Sequence, residues 1–219
     1  MQQQHPIVII GGGGHTSVLI GMAKRAGLVL RGVLTRDASL LGSEIHGVPV
    51  LGLEEEYPLD AAQVAIINGV GNRASRAGSG LAVRAAVYAR YHERGFFVAP
   101  LVSADAVTMP DITLGAAVQI MPGAVVQSGA MIGENSIINT RASVDHDVVI
   151  YPHAHIAPGA ILCGAAVIGE QAHVGAGAIV LQGVRVGNHA VIGAGAVVSR
   201  DVPDGGIVRA APSELGKLA

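Results

Sequence analysis

The sequence predicts an α/β domain with a small Rossmann-like parallel sheet over residues 1–99, followed by a parallel β-helix of triangular section over residues 100–219. Three observations carry this. An aliphatic residue recurs at every sixth position from Val102 to Val198, without insertion or deletion, and Thr108 is the one exception. Four residues after most of these beats stands a small side chain, as at Ala124, Ala142, Ala160, Ala178 and Ala196. Upstream, short apolar runs alternate with helix-like stretches, and the first run ends in four consecutive glycines.

In chain order, Ile7-Val8-Ile9-Ile10 is a continuous apolar run, the mark of a buried parallel strand. The glycines Gly11 to Gly14, then His15 and Thr16, lead into a predicted helix from Ser17 to Ala26, stopped by Gly27. Leu28 to Leu34 reads as a second strand, and Gly47 to Gly52 as a turn with a short extended piece. Gln63 to Asn68 is another strand, closing at Gly69-Val70-Gly71-Asn72. A long helix is expected from Ser75 to Gly95, with Phe96-Phe97-Val98 leading onward. Strands alternating with helices predict a doubly wound sheet. The link at Ala99-Pro100 is short, so the two domains should pack together.

A strict period of six belongs neither to a helix nor to a plain strand. It marks a repeated structural unit. Each hexad supplies one short strand and one corner, and three hexads, eighteen residues, close a coil. The beat residue then points inward and stacks on its counterpart one coil later, about 4.8 Å away. The small residue fits the corner, where Gly and Asn allow unusual backbone angles.

Composition bounds the function. The chain has 14 Lys plus Arg against 16 Asp plus Glu, a net charge of −2, and no basic patch, which argues against nucleic acid as a partner. Its one cysteine, Cys163, rules out an intramolecular disulfide framework. No apolar run approaches eighteen residues and no leader pattern is visible, so a cytoplasmic protein without membrane contact is expected.

Two places carry chemistry. A strand, a glycine-rich turn and a helix start bring free N–H groups and a positive dipole end to one point, suited to a phosphate. Gly13, Gly14 and His15 form this point, and Gly71-Asn72 lies on the same edge of the sheet, where ligands of open α/β sheets bind. The dinucleotide fingerprint needs a third glycine where Thr16 or Ser17 stands, which favours a nucleotide-diphosphate group over NAD and leaves a tight structural turn as the other alternative. The second place is Asn139-Thr140-Arg141-Ala142-Ser143-Val144-Asp145-His146-Asp147, polar among hexads of Ala, Gly and Val. His146, outside the core and next to Asp147, suits a general base near neutral pH. Gly164, one coil on, could offer its amide to an oxyanion. His155 lies half a coil round, so it could join His146 only across a subunit boundary. His153, His173 and His189 read as ordinary surface histidines. Cys163 lacks the basic company a thiolate needs. A zinc site would require three converging imidazoles, and only His153 and His189 fall in step, so no metal is expected.

These residues resemble a known family. The hexads resemble the hexapeptide-repeat acyltransferases. The glycine turn with His15, Gly47-Val48-Pro49-Val50-Leu51-Gly52, Gly71-Asn72 with Arg76, and the Asn139, His146, His155, Gly164 spacing resemble, more narrowly, the sialic acid O-acetyltransferase and UDP-bacillosamine N-acetyltransferase (PglD-like) group. The resemblance covers nearly the whole chain. It implies a left-handed β-helix and an acetyl-CoA-dependent homotrimer with active sites between subunits. His146 would be the general base, Asp147 its acidic partner, and Asn139 and His155 would line the site. The amide of Gly164 would hold the thioester carbonyl, with Ala176 and Ala194 along the pantetheine arm. A nucleotide sugar would lie on Gly13, Gly14 and His15. The family carries an acidic pair after the second strand, and Thr35-Arg36-Asp37 keeps only Asp37. Its end motif, Gly-x-Pro-Ala and a basic residue, is replaced here by Ala210-Ala211-Pro212-Ser213-Glu214. The expected reaction is direct N-acetylation of a nucleotide-linked amino-deoxysugar. The alternatives are O-acetylation of sialic acid or another sugar hydroxyl, a related acyltransferase acting on an amino acid or using a longer acyl carrier, and a non-catalytic structural or regulatory β-helix subunit.

Overall fold

The computed structural model describes residues 5–72 and 80–210. Arg76, the predicted helix start at Ser75 and the segment Ala211-Pro212-Ser213-Glu214 lie outside the described residues. The first layer is a five-stranded sheet: β1 (Ile7–Ile10), β2 (Leu30–Thr35), β3 (Glu44–Ile45), β4 (Val48–Leu53) and β5 (Ala65–Asn68), in the order β3-β4-β2-β1-β5. All neighbours run parallel except β3 with β4. This last pair is a hairpin that the sequence reading did not resolve. Its two-residue turn puts both His46 (φ 48) and Gly47 (φ 72) at positive φ, the conformation tight hairpins require. Histidine at such a position gives little warning.

Helix α1 (Gly14–Arg25) starts three residues before the predicted Ser17, because the glycine turn itself enters the helix with Gly13 as N-cap. Helix α2 spans Leu81–Glu93. Alternate residues of the strands point to opposite faces. Ile7, Ile9 and Val33 pack on Leu19 and Ile20 of α1. Val8, Ile10, Leu34 and Ile66 pack on Val87, Tyr88 and Tyr91 of α2. The sheet is therefore covered on both sides.

Among the described residues, the chain from Leu101 winds through eighteen two-residue strands in three parallel sheets. We call them face one (beginning Leu101–Val102), face two (Val107–Thr108) and face three (Thr113–Leu114). Partners sit eighteen residues apart, as in Val126 with Val144 and Val144 with Leu162, until the last coil shortens and pairs Val191 with Ile207. The beat residues from Ile120 onward, with the corner alanines, fill one continuous core. Val102 and Leu114 are the departure: they stay 37% and 36% exposed, because the first coil has a neighbour on one side only. Each corner from Ala117 to Gly195 holds a residue in the left-handed region. At Asp147 (φ 57) and His153 (φ 61) that residue is not glycine.

Face one is where the two layers meet. Its outward column includes Leu101, Gln119, Ile137, His155 and His173, all buried. Leu101 and Ile137 share a core cluster with α1 and the sheet. Arg84 of α2, fully buried, crosses the boundary by donating to the carbonyls of Asn135, Asn68 and Val70. Burial lowers its pKa to about 9, so the guanidinium remains charged at neutral pH.

Candidate active site

A cavity of about 780 Å³ lies where the carboxyl ends of β1, β2 and β5 meet face one. Its size suits a small-molecule ligand. Its centre is the glycine turn. A Cβ on Gly12 would fall 2.6 Å from Leu40 Cδ1 and 2.8 Å from Thr35 Oγ1, so only glycine lets the chain pass there. Gly13 and Gly14 have open space, and no side chain caps the amides of the first turn of α1. These N–H groups face the cavity as donors for an anion. Thr16 explains the missing third glycine: its hydroxyl donates to Gly11 O (2.6 Å) and Gly69 O (3.2 Å), tying two cavity loops together.

His15 is stitched to the β-helix. Gln119 donates through Nε2 to Asn68 O, which leaves its Oε1 to accept from His15 Nε2 at 2.7 Å. Burial, reinforced by the Arg84 charge, lowers the His15 pKa to about 4, so it lines the cavity as a neutral ring. Gly71 packs against it, with a Cβ there falling 3.0 Å from His15 Cβ.

The β-helix wall of the cavity holds Asn139 and His155. Asn139 Oδ1 accepts from Thr140 N, so its Nδ2 faces His155 Nε2 at 3.0 Å and the ring proton sits on Nδ1. Burial holds the His155 pKa well below its usual value. Behind it stands His173, whose ring centre is 5.1 Å away and whose Nδ1 is 2.9 Å from Asn72 Nδ2. The reading of His173 as a surface histidine is corrected: it is buried, its pKa lowered by that burial. The sequence held the signal, since His173 follows His155 by one coil and shares its column on the covered face. His153 is half-buried beside Tyr88 and Asn135, also unlike a free surface residue.

At the opposite end of the cavity, beyond β2 and β4, stand Arg36, Asp37 and Glu54. Asp37 Oδ1 accepts from the amide and hydroxyl of Ser39, which lowers the Asp37 pKa. Glu54 is buried between Arg36 Nε (2.8 Å) and Arg90 Nη1 (2.7 Å).

His146, Asp147 and Gly164 lie elsewhere, on the edge between faces two and three, the edge opposite face one. His146 Nδ1 is 2.9 Å from Asp147 Oδ2, and this hydrogen bond raises the imidazole pKa. Its Nε2 is left free and rests over Gly164, where a Cβ would come within 2.5 Å. Ala176 and Ala194 are exposed on a third position, the edge between faces one and two, which Asn139 also borders. Within one chain the structure thus gathers Gly13, Gly14, His15, Asp37, Gly71, Asn72, Asn139 and His155 around the cavity and leaves the other five outside it. Among the described residues no group of three His, Cys, Asp or Glu is placed to hold a metal, and no helix is long and apolar enough to cross a membrane.

A hexad-built β-helix with an exposed imidazole–carboxylate pair, joined to a glycine-turn domain, defines an acyl-transferring class of enzyme. Residues 165–200 match the family described as bacterial transferase hexapeptide (six repeats). The chain is 33% identical to the acetyltransferase domain of PglB from Neisseria gonorrhoeae, with a TM-score of 0.85, covering 96% of this chain and 98% of that one. That domain has also been solved with acetyl coenzyme A. PerB from Caulobacter crescentus, in complex with CoA and GDP-perosamine, is 31% identical, with a TM-score of 0.85 and 97% of both chains covered. WeeI from Acinetobacter baumannii, at 21% identity, shares the fold. The chain belongs to the hexapeptide-repeat sugar acetyltransferases and is an acetyltransferase.

Proposed function

We propose that this enzyme transfers acetyl from acetyl-CoA to the amino group of a nucleotide-linked amino-deoxysugar, at sites shared between subunits of a homotrimer. One observation carries the reading: the imidazole–carboxylate pair and the anion-ready cavity occupy opposite sides of the same prism. One chain alone cannot join them. Packing the His146 edge of one subunit against the Asn139 edge of the next would bring His146, Asp147 and Gly164 to Asn139, His155, Ala176 and Ala194. Face two lies between these edges and presents an apolar outward column, with Val107, Ile161 and Val197 between 40% and 59% exposed. Such a surface fits burial against another copy. PglB with acetyl coenzyme A and PerB with CoA and GDP-perosamine support the choice of substrates.

The chemistry follows from the groups present. The nucleotide diphosphate lies on the amides of Gly13 and Gly14, beside His15, with Gly71 and Asn72 closing the loop above it. The amine attacks the thioester carbonyl, forming the C–N bond, while His146 Nε2 takes its proton. The tetrahedral oxyanion rests on the Gly164 amide, which among the described residues donates to no protein acceptor. The C–S bond then breaks, and the CoA thiolate takes the proton back from the imidazolium. Asp147 stabilises that cation. Ala176 and Ala194 offer a smooth edge to the pantetheine arm.

Coenzyme A release from acetyl-CoA, measured against UDP-, GDP-, CDP- and dTDP-amino sugars and free sialic acid, tests the proposal. Turnover with a nucleotide-linked amino sugar is expected. Turnover with sialic acid alone would move the reaction to a hydroxyl. Sedimentation should give three copies per particle, and a monomer with full turnover would end the shared-site reading.

A further inference from the structure

Arg84 is the bulkiest fully buried side chain among the described residues, and it is charged. A cation so placed ordinarily meets a carboxylate. This one meets only carbonyls. Its Nε donates to Asn135 O at 3.0 Å, and its Nη1 donates to Asn68 O at 3.0 Å and Val70 O at 2.8 Å. Its Nη2 is buried and donates to nothing among the described residues. No ion pair among those residues includes it, and its pKa is lowered by burial with no anion acting to raise it. Stitching the two layers together does not call for a charge, since Asn68 and Gln119 bridge the same seam with neutral amides.

The unmatched charge stands behind the cavity wall. Arg84 does not line the cavity, but Val83 and Val87 of the same helix do, as do Gly69, Val70 and Gly71 of the turn it holds. Its charge adds to burial in lowering the pKa of His15 and His155, which line the cavity from its two layers. Charges interact more strongly through a low-dielectric interior than through water. A field that opposes a proton on these two rings favours an anion in the space they border. The start of α1 offers contact donors and about half a charge. Arg84 adds a full charge from behind.

We infer that Arg84 is a positioning residue whose unpaired charge is completed by the substrate, its counter-ion being the diphosphate of the nucleotide sugar proposed above, on which this inference rests. Arg84 touches no ligand. Its hydrogen bonds fix Val70 and Asn68, and Asn68 O also receives Gln119, whose Oε1 holds His15, so the field acts on a rigid turn. The empty protein carries an unmatched interior cation, and bound diphosphate offsets it.

Calorimetric titration of the full-length protein with UDP, GDP, CDP, dTDP and acetyl-CoA tests this. Arg84→Met removes the charge, Arg84→Lys keeps it, and Asn135→Asp sets a carboxylate beside the guanidinium. Arg84→Met and Asn135→Asp should each weaken the tightest-binding diphosphate by about tenfold or more, with acetyl-CoA within about threefold of wild type. Arg84→Lys should stay within about threefold for both ligands. Asn135→Asp separates charge from architecture. It pairs the buried cation, so its melting temperature should hold or rise while diphosphate binding falls, and it carries the test if Arg84→Met does not fold. An Asn135→Asp protein that melts lower, or that binds the diphosphate as wild type does, would overturn the inference. So would an Arg84→Met protein that binds it unchanged. A wild-type protein that binds acetyl-CoA but none of the four diphosphates would end the nucleotide reading and this inference together, whereas tight binding indifferent to these substitutions would end this inference alone.

Discussion

His155 and His146 stand nine residues apart, and the fold sends their acid–base chemistry in opposite directions. His155 is buried under the sheet domain, beside His173, His15 and the Arg84 charge, and is held neutral. His146 is exposed on an edge and hydrogen-bonded to Asp147, so its cation is favoured. Burial penalises the charged form of a histidine, and a carboxylate partner rewards it. One ring is therefore a fixed neutral hydrogen-bonding element, and the other, with its cation favoured, suits the general-base role proposed for it. The contrast separates the two rings more sharply than their shared residue type does.

The comparison breaks most clearly at His146. His146→Ala should lower kcat by about 10²–10⁴-fold, the usual contribution of a positioned general base, with the melting temperature unchanged. A variant turning over within about threefold of wild type would remove His146 from the chemistry. Gly164→Ala comes next. The added methyl would sit 2.5 Å from His146 Nε2 and must push the ring aside, so kcat should fall by about tenfold to a hundredfold in a folded protein. Unchanged kcat would show that the ring's position over Gly164 is immaterial.

The buried side sharpens under acid. His15 has its pKa depressed from 6.5 to about 4, so the unfolded chain binds the proton first as pH falls. Stability held above pH 6.5 should drain between 6.5 and about 4, by on the order of 3 kcal/mol from this residue. His155, His173 and His153 shift the same way. Urea midpoints at pH 7.5 and 5 would measure the loss, and a His15→Gln protein should lose less. Equal midpoints would contradict the buried-neutral assignment. The smallest effect belongs to Asp147→Asn. Its hydrogen bond holds the His146 pKa above 6.5, and the base works only when neutral. The acid limb of the rate profile should therefore lie above 6.5 in the wild type and move down in the variant. A limb that stays put would mean that Asp147 does not tune the base.

Much of the architecture was legible because a strict repeat leaves few solutions. The beat through Ile120, Ile138, Ile156 and Val174 fixes which side chains enter the core and which column each outward residue joins. The same arithmetic placed His146 above Gly164 and separated it from His155. It also contained His173, one step beyond His155, but a period cannot say which of three faces another domain will cover. The hairpin at His46-Gly47 was missed for a local reason: a non-glycine residue at positive φ follows from the closure of β3 on β4, and its composition does not announce it.

By itself the sequence determined the coil, the inward stack, the glycine turn and the adjacency of His146 to Asp147, because each depends on spacing along the chain. Tertiary structure alone decided that face one is the covered face and that Arg84 lies buried between the layers. It also decided that His15 is held by Gln119 and that Glu54 anchors Arg36. Those contacts join residues up to 104 positions apart. Their energies depend on burial and on charges brought near by packing, quantities that no local pattern encodes.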